Sequence, residues 1–266
     1  MLFADQTLAR RLEAAESLGA ACCADAEAAL RPASGAASLS IGSGYAAFHG
    51  HNSPLTHAVG LGMNGPVTAT DLDAVEEFFR SRGSGAVVHL CPLADPSLQE
   101  LVAARGYRIS EFNNVLVRPL RYGEMIPTPA AGISTRPARA EEAEMWSRLM
   151  LHGFLGREAM SDTEYSVGNA IFHSSVAWVA QIGEDVQGGA ALSVQDGLAC
   201  FFADSTLPAA RNRGIQTALI RARLRRALER GCDMATASAQ PGSTSQHNYE
   251  MSGFRVAYTK AIFTLA

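Results

Sequence analysis

The sequence predicts an α/β protein built from two similar halves, and three observations lead there. Apolar runs of strand length alternate with longer segments in which apolar residues return every three or four positions. Residues 121–132 (RYGEMIPTPAAG) carry two prolines, two glycines and no periodicity, as a linker would. On each side of it the same order appears: strands, a helix, a buried strand, a short helix, then Gly, an aromatic residue, Arg and a long strand. Ala104-Arg105-Gly106-Tyr107-Arg108 and Met251-Ser252-Gly253-Phe254-Arg255 are the matching points. This order implies an internal duplication. It divides the chain into domains 1–125 and 126–266, in keeping with roughly 100–200 residues per domain.

In the first half, Leu8, Leu12, Ala15, Leu18, Cys22, Ala26 and Ala29 form a helical stripe that Pro32 ends. A small-residue linker follows at 33–38, then strand-like runs at 39–48 and 55–61. Asp71 and Asp73 suit the positive end of a helix. Its stripe is Leu72, Val75, Phe78 and Phe79, and Gly83 and Gly85 end it. Residues 86–91 (AVVHLC) read as a buried strand, 96–105 as a short helix stopped by Gly106, and 107–120 as extended chain. In the second half, 133–136 is a short strand, 141–151 a helix rich in Glu at its start, and 178–182 a strand. Strands at 186–194 and 198–203 meet at a turn, Asp196-Gly197. A helix at 217–230 is stopped by Gly231, a strand occupies 232–239, a short helix 246–251, and 254–265 is extended.

Composition excludes several classes. The 266 residues carry 22 Lys+Arg against 26 Asp+Glu, a net charge of −4, which argues against a protein that coats nucleic acid. Hydrophobic content of 47% excludes wholesale disorder. No stretch approaches the roughly 20 apolar residues that span a bilayer, so a soluble chain with no membrane partner is expected. Cys22, Cys23, Cys91, Cys200 and Cys232 are odd in number and form no C-x-x-C, which argues against a disulfide framework or a structural zinc site. Cys91, Cys200 and Cys232 are expected to be buried as small apolar residues. Residues 18–22 (LGAAC) have the outline of a lipoprotein cleavage box. Glu13 and Glu16 before it and Asp25 and Glu27 after it do not fit a signal segment, so a cytoplasmic location is expected.

The chemistry concentrates at 204–217 (DSTLPAARNRGIQT). A strand ends, Pro208 breaks the run, and a loop containing Gly214 leads into an amphipathic helix with Ile220, Leu224, Ala227 and Leu228 on its apolar face. The first backbone N–H groups of a helix have no partner within it, and the helix dipole adds positive potential there. Such a loop suits a phosphate, with Arg211 and Arg213 adding charge. Between Asp204 and Arg230 stand seven arginines against Asp204 and Glu229. Arg221, Arg223, Arg225, Arg226 and Arg230 are expected on a solvated helix face.

At this point the sequence resembles a known family. Arg211-x-x-Gly214-x-Gln216 is similar to the R/Q-x-x-G-x-G/A signature of the GNAT superfamily of N-acetyltransferases, with Gln216 where a small residue is usual. Ser134-Thr135-Arg136-Pro137-Ala138 and the acidic helix after it resemble the family's opening strand and helix. Asn248-Tyr249-Glu250-Met251-Ser252-Gly253-Phe254 resembles its Y-E-x-x-G-F end. The resemblance covers about 130–266 and makes the first half a degenerate copy. It implies two tandem GNAT-like acyl-CoA N-acyltransferase domains, each an α+β mixed sheet.

It further implies acetyl-CoA as cosubstrate, no metal, and transfer of acetyl to an amine by direct attack, a small-molecule acceptor being expected. Asp204, Ser205, Thr206 and Leu207 would pair with pantetheine. Arg211, Asn212, Arg213, Gly214, Ile215, Gln216 and Thr217 would hold the pyrophosphate. Tyr249 matches the position that protonates the leaving thiolate, against the alternative of a core aromatic. Ser245 and Asn248 either touch the CoA arm or cap their helix. The base that takes the amine's proton is not singled out among Asp204, Glu164, His152, His173 and His247.

Two other functions remain open. One is an acyl-CoA-binding sensor or interaction protein without turnover. The other is a nucleotide site on Gly60-x-Gly62-x-x-Gly65, which Pro66 and a late helix start disfavour. His49, His51 and His57 read as a polar loop, with no Cys or carboxylate to complete a metal set. No pattern indicates an oligomeric state.

Overall fold

The computed structural model describes residues 3–265. The fold is mixed α/β. The described residues pack as two compact units, one of 3–115 with 256–265 and one of 116–255.

The first unit opens with helix α1, Gln6–Leu30, whose N-cap Asp5 accepts a bond from the Leu8 amide. Strands β1 (Ala37–Ile41) and β2 (Gly44–Phe48) form an antiparallel hairpin, and β3 (His57–Val59) pairs antiparallel with β2. Helix α2, Ala69–Arg80, crosses over to β4, Val87–Leu90, which lies parallel to β3. Helix α3 (Pro96–Ala104) and strand β5 (Arg108–Pro119) follow. The apolar face of α2 (Leu72, Val75, Phe79) closes the core against Phe48, Val88, Leu98 and Val102. Strand β11, Arg255–Thr264, comes last in sequence yet pairs antiparallel with β4.

On β11 sits Lys260, the only lysine in the chain and 1% exposed. Its Nζ lies 2.8 Å from Glu13 and 2.9 Å from Glu16 of α1. Burial alone would lower the ammonium pKa, but the two carboxylates outweigh it and hold it above its ordinary value. Tyr258 adds a bond to Glu13 at 2.7 Å.

In the second unit, β6 (Ile133–Pro137), β7 (Val176–Ile182), β8 (Asp185–Gln195) and β9 (Leu198–Thr206) run antiparallel in turn. Asp196 and Gly197, both with positive φ, make the tight β8–β9 turn. Helix α6, Ile215–Glu229, crosses over to β10, Met234–Ala239, which is parallel to β9, and β10 lies between β9 and the end of β5. Helices α4 (Ala143–Leu155) and α5 (Asp162–Ser174) precede β7, and α7 (Thr244–Met251) follows β10.

The sequence pattern did not indicate α5. A Ser161–Glu164 capping box starts it, with Ser161 accepting the Glu164 amide and Glu164 accepting the Ser161 amide. The run expected at 39–48 is a hairpin. The expected solvated face of α6 is corrected at three positions. Arg221 and Arg225, one turn apart, donate to the carbonyls of Thr128 and Pro127 and so tie down the linker, each at 3.1 Å. Arg223 is fully buried. Cys91 and Cys232 are buried as expected, whereas Cys200 is only half-buried. His57, expected in a polar loop, is buried in β3 and stacks on His89 at 4.0 Å. Burial holds its imidazole down at about 3.

Candidate functional site

The site is built by the parting of two parallel strands. β9 and β10 pair from Leu198↔Met234 to Phe201↔Ala237 and no further, although β9 continues to Thr206 and β10 to Ala239. At the same place β9 carries a bulge. Against β8, Phe202 faces Ala191 and Ser205 faces Gly189, so Ala190 alone stands opposite Ala203 and Asp204. Ala203 takes φ +54, a left-handed conformation that costs a residue with a Cβ roughly 1–2 kcal/mol. Beyond the bulge, the Leu207 amide donates to Gln187 on β8. Since an extended strand alternates its hydrogen-bonding edge, Thr206 and Asp204 turn their backbone groups toward the side that β10 has left.

The loop after β9 runs through a short 3-10 turn, Pro208–Ala210, into α6. Asn212 and Gly214 both have positive φ, at 61° and 82°. Gly214 is the N-cap of α6 and supplies no side-chain cap. The first amides of a long helix are thus left to an outside acceptor, and the dipole favours an anion there. Arg211 to Gly214 are exposed. Arg211 is anchored, its Nη2 donating to the Gly153 carbonyl of α4 at 2.8 Å.

The other expected residues fall into three groups. Gln216, Ser245 and Asn248 come together: Gln216 donates to Ser245 Oγ at 2.9 Å, and Asn248 donates to Gln216 Oε1 at 2.7 Å. This bridge joins the starts of α6 and α7. Ser205 turns inward, its Oγ donating to the Met150 carbonyl at 2.7 Å. Ile215 is core, packed against Gly188 where a Cβ would lie 2.4 Å from it. Thr206, Leu207 and Thr217 are half-buried at the strand end and helix start.

Tyr249 and Asp204 meet directly. The Tyr249 hydroxyl, in a residue 1% exposed, donates to Asp204 Oδ2 at 2.5 Å. Burial first, and the Asp204 carboxylate second, hold the Tyr249 phenol well above its ordinary pKa. The other Asp204 oxygen is paired with Arg223, with side chains 7% and 0% exposed. Burial would lower the pKa of the Arg223 guanidinium, but Asp204 more than offsets it and holds it above its ordinary value.

The sequence reading missed Arg223. A signal was present, since it lies three residues after Ile220 and four before Ala227, on the apolar stripe itself. Among the remaining candidate bases, Glu164 is occupied as the cap of α5, and His173 and His247 are exposed.

The glycine loop of the first unit is built differently. At the start of α2, Thr68 accepts the Asp71 amide while Asp71 accepts from the Thr68 amide and hydroxyl. The protein's own carboxylate fills the helix N-terminus and would repel a phosphate. The cavity beside Gly62 and Gly65 holds about 190 Å³, below the roughly 300–1,000 Å³ of small-molecule sites.

Residues 142–254 match the model of the acetyltransferase (GNAT) family. The chain carries a GNAT domain. Solved structures extend the likeness over most of its length. A GCN5-related N-acetyltransferase from Kribbella flavida is 18% identical with a TM-score of 0.63, over 91% of this chain and 95% of that one. One from Sphaerobacter thermophilus is 16% identical with a TM-score of 0.59, over 79% and 71%. A tandem GNAT protein from the clavulanic acid biosynthesis pathway is 14% identical with a TM-score of 0.56, over 74% and 68%. At such identities the likeness is one of fold. No curated protein matches the chain. Among the described residues no helix is long and apolar enough to cross a membrane.

Proposed function

We propose that the GNAT half, residues 126–266, transfers acetyl from acetyl-CoA to a primary amine by direct attack in a ternary complex, and that residues 1–125 are a copy that has lost acyl-CoA binding. The observation that carries this reading is the coincidence, between residues 201 and 215, of the end of β9 pairing with β10, the bulge at Ala203 and the uncapped start of α6. The backbone of Asp204 and Thr206 offers a strand edge to the amides of pantetheine. The amides at 213–217, with Arg213, suit the pyrophosphate. A backbone N–H at the splay polarises the thioester carbonyl. The amine nitrogen then bonds to the carbonyl carbon, the C–S bond breaks, and sulfur gains a proton.

In this reading Tyr249 is the catalytic group nearest the splay, and Asp204 orients it. A phenol held above its ordinary value of about 10 gives its proton uphill to a thiolate whose acid lies near 8.5. Tyr249 therefore gives the departing sulfur a hydrogen bond rather than its proton, and to do so its single O–H must swing from Asp204 to the sulfur. The proton that ends there comes from the attacking amine, which becomes acidic once it carries the acetyl group. Isothermal titration with acetyl-CoA, followed by release of CoA thiol across a panel of primary amines, tests the whole. A folded sample that does not bind acetyl-CoA ends the proposal. One observation favours a second reading, an acyl-CoA-binding protein without turnover: the Tyr249 hydroxyl is already committed to Asp204. Binding with no turnover of any amine in the panel would support it.

A further inference from the structure

Arg223 is the only arginine of α6 with no exposed surface, and four of its five contacts cluster at the β9 bulge. Its Nη1 donates to the carbonyls of Ala191 on β8, at 2.9 Å, and Phe202 on β9, at 3.4 Å. These two residues are the last register pair before the bulge. Its Nη2 donates to Asp204, the first residue past Ala203, and its Nε to the Leu219 carbonyl of α6 at 3.2 Å. The guanidinium also lies over the Phe201 ring, 4.6 Å from its centre. Phe201 is the last residue of β9 paired with β10. The fork of one arginine therefore straddles the extra residue. A left-handed alanine persists only where its surroundings over-determine it, and Arg223 supplies that constraint from one planar group.

We infer that Arg223 is a positioning residue for acetyl-CoA: it holds the β9 bulge open and so presents the backbone of Asp204 and Thr206 to the cosubstrate, a role that rests on the acetyl-CoA reading above. Arg223→Met keeps the length of the side chain and removes the fork. Titration calorimetry should then show acetyl-CoA bound at unchanged stoichiometry but about tenfold more weakly, the loss expected for a charge-assisted bond. A merely structural role would instead lower the bound fraction at unchanged affinity. Arg223→Lys keeps the charge beside Asp204, but one ammonium cannot reach all three acceptors, and affinity should fall about threefold. This variant decides the matter if the methionine variant does not fold.

Amide hydrogen exchange gives a readout that needs no ligand. Faster exchange confined to residues 202–207 in the variants supports the inference. Unchanged affinity or unchanged exchange overturns it. If the parent protein itself binds no acetyl-CoA, the transferase reading falls, while exchange at 202–207 still decides whether Arg223 holds the bulge.

Discussion

Gly153→Ala should destabilise the protein, although replacing a helical glycine with alanine ordinarily gains about 0.5–1 kcal/mol. Gly153 lies in the last turn of α4, where a Cβ would stand 2.0 Å from Ser205 Oγ, 2.9 Å from the Thr206 carbonyl and 3.0 Å from the Thr206 amide. Ser205 can leave only by giving up its bond to the Met150 carbonyl. A buried hydroxyl without a partner costs about 1–3 kcal/mol. The Thr206 backbone cannot rotate away, and pushing it adds about 1–3 kcal/mol of strain. The sum, less the helix gain, is a loss of about 1–5 kcal/mol, or roughly 2–20 °C in Tm. Gly19→Ala in α1 is the control, because nothing lies within 4 Å of its new Cβ. It should raise stability by about 0.5–1 kcal/mol. Differential scanning calorimetry of the two variants measures both. A Gly153→Ala protein as stable as the parent would refute the close packing of α4 on the end of β9. The displaced Thr206 backbone should also weaken acetyl-CoA binding, whereas Gly19→Ala leaves it alone.

Tyr249→Phe removes the hydroxyl that Asp204 Oδ2 accepts and should cost about 1–3 kcal/mol. In a double-mutant cycle with Asp204→Asn the two changes should couple by at least about 0.5 kcal/mol, and simple additivity would sink the paired arrangement. Gly214→Glu strains a residue at φ +82° and sets a carboxylate at the start of α6. Calorimetry should find acetyl-CoA binding abolished, and undiminished binding would remove the phosphate loop from the proposal. Glu142 is bonded by Arg136 and Arg139, and the Arg136 bond above all holds its carboxyl down at about 2. A carboxylate whose folded value is depressed stabilises above its unfolded value near 4.5, and loses that contribution as pH falls from there to about 2. Glu142→Gln should therefore be less stable than the parent at pH 7, by about 2–3 kcal/mol, with the gap closing across that acidic window. A gap independent of pH would show that the ion pair carries none of it.

What could be read from the sequence was whatever local pattern controls. The Asp196-Gly197 turn, the stripe of α2 and the loop entering α6 each depend on residues adjacent in the chain, and each stands where the pattern put it. Helix α5 was hidden because its apolar positions, Val167, Ala170 and Ile171, are few and mixed with small residues. Its one local signal was the Ser161-x-x-Glu164 start. The β1–β2 hairpin did carry a local signal, the turn formers Gly42, Ser43 and Gly44, but the apolar residues on both sides led 39–48 to be read as one run. Arg223 was misplaced for a different reason. An arginine is buried only when a distant partner awaits it, and Asp204 is nineteen positions away. Lys260 is a stronger case, since Glu13 lies at the other end of the chain.

Strand β11 ties that last contact to the order of synthesis. The unit at 116–255 is one unbroken stretch and has all its strands once residue 255 has been made. In the unit begun by α1, His89 stands 3.8 Å from Glu16, but Glu13 and Glu16 gain their shared ammonium only when Lys260 arrives. The half translated first is the half that closes last, and a chain cut after residue 254 would keep the second unit nearly whole while the first still lacked β11.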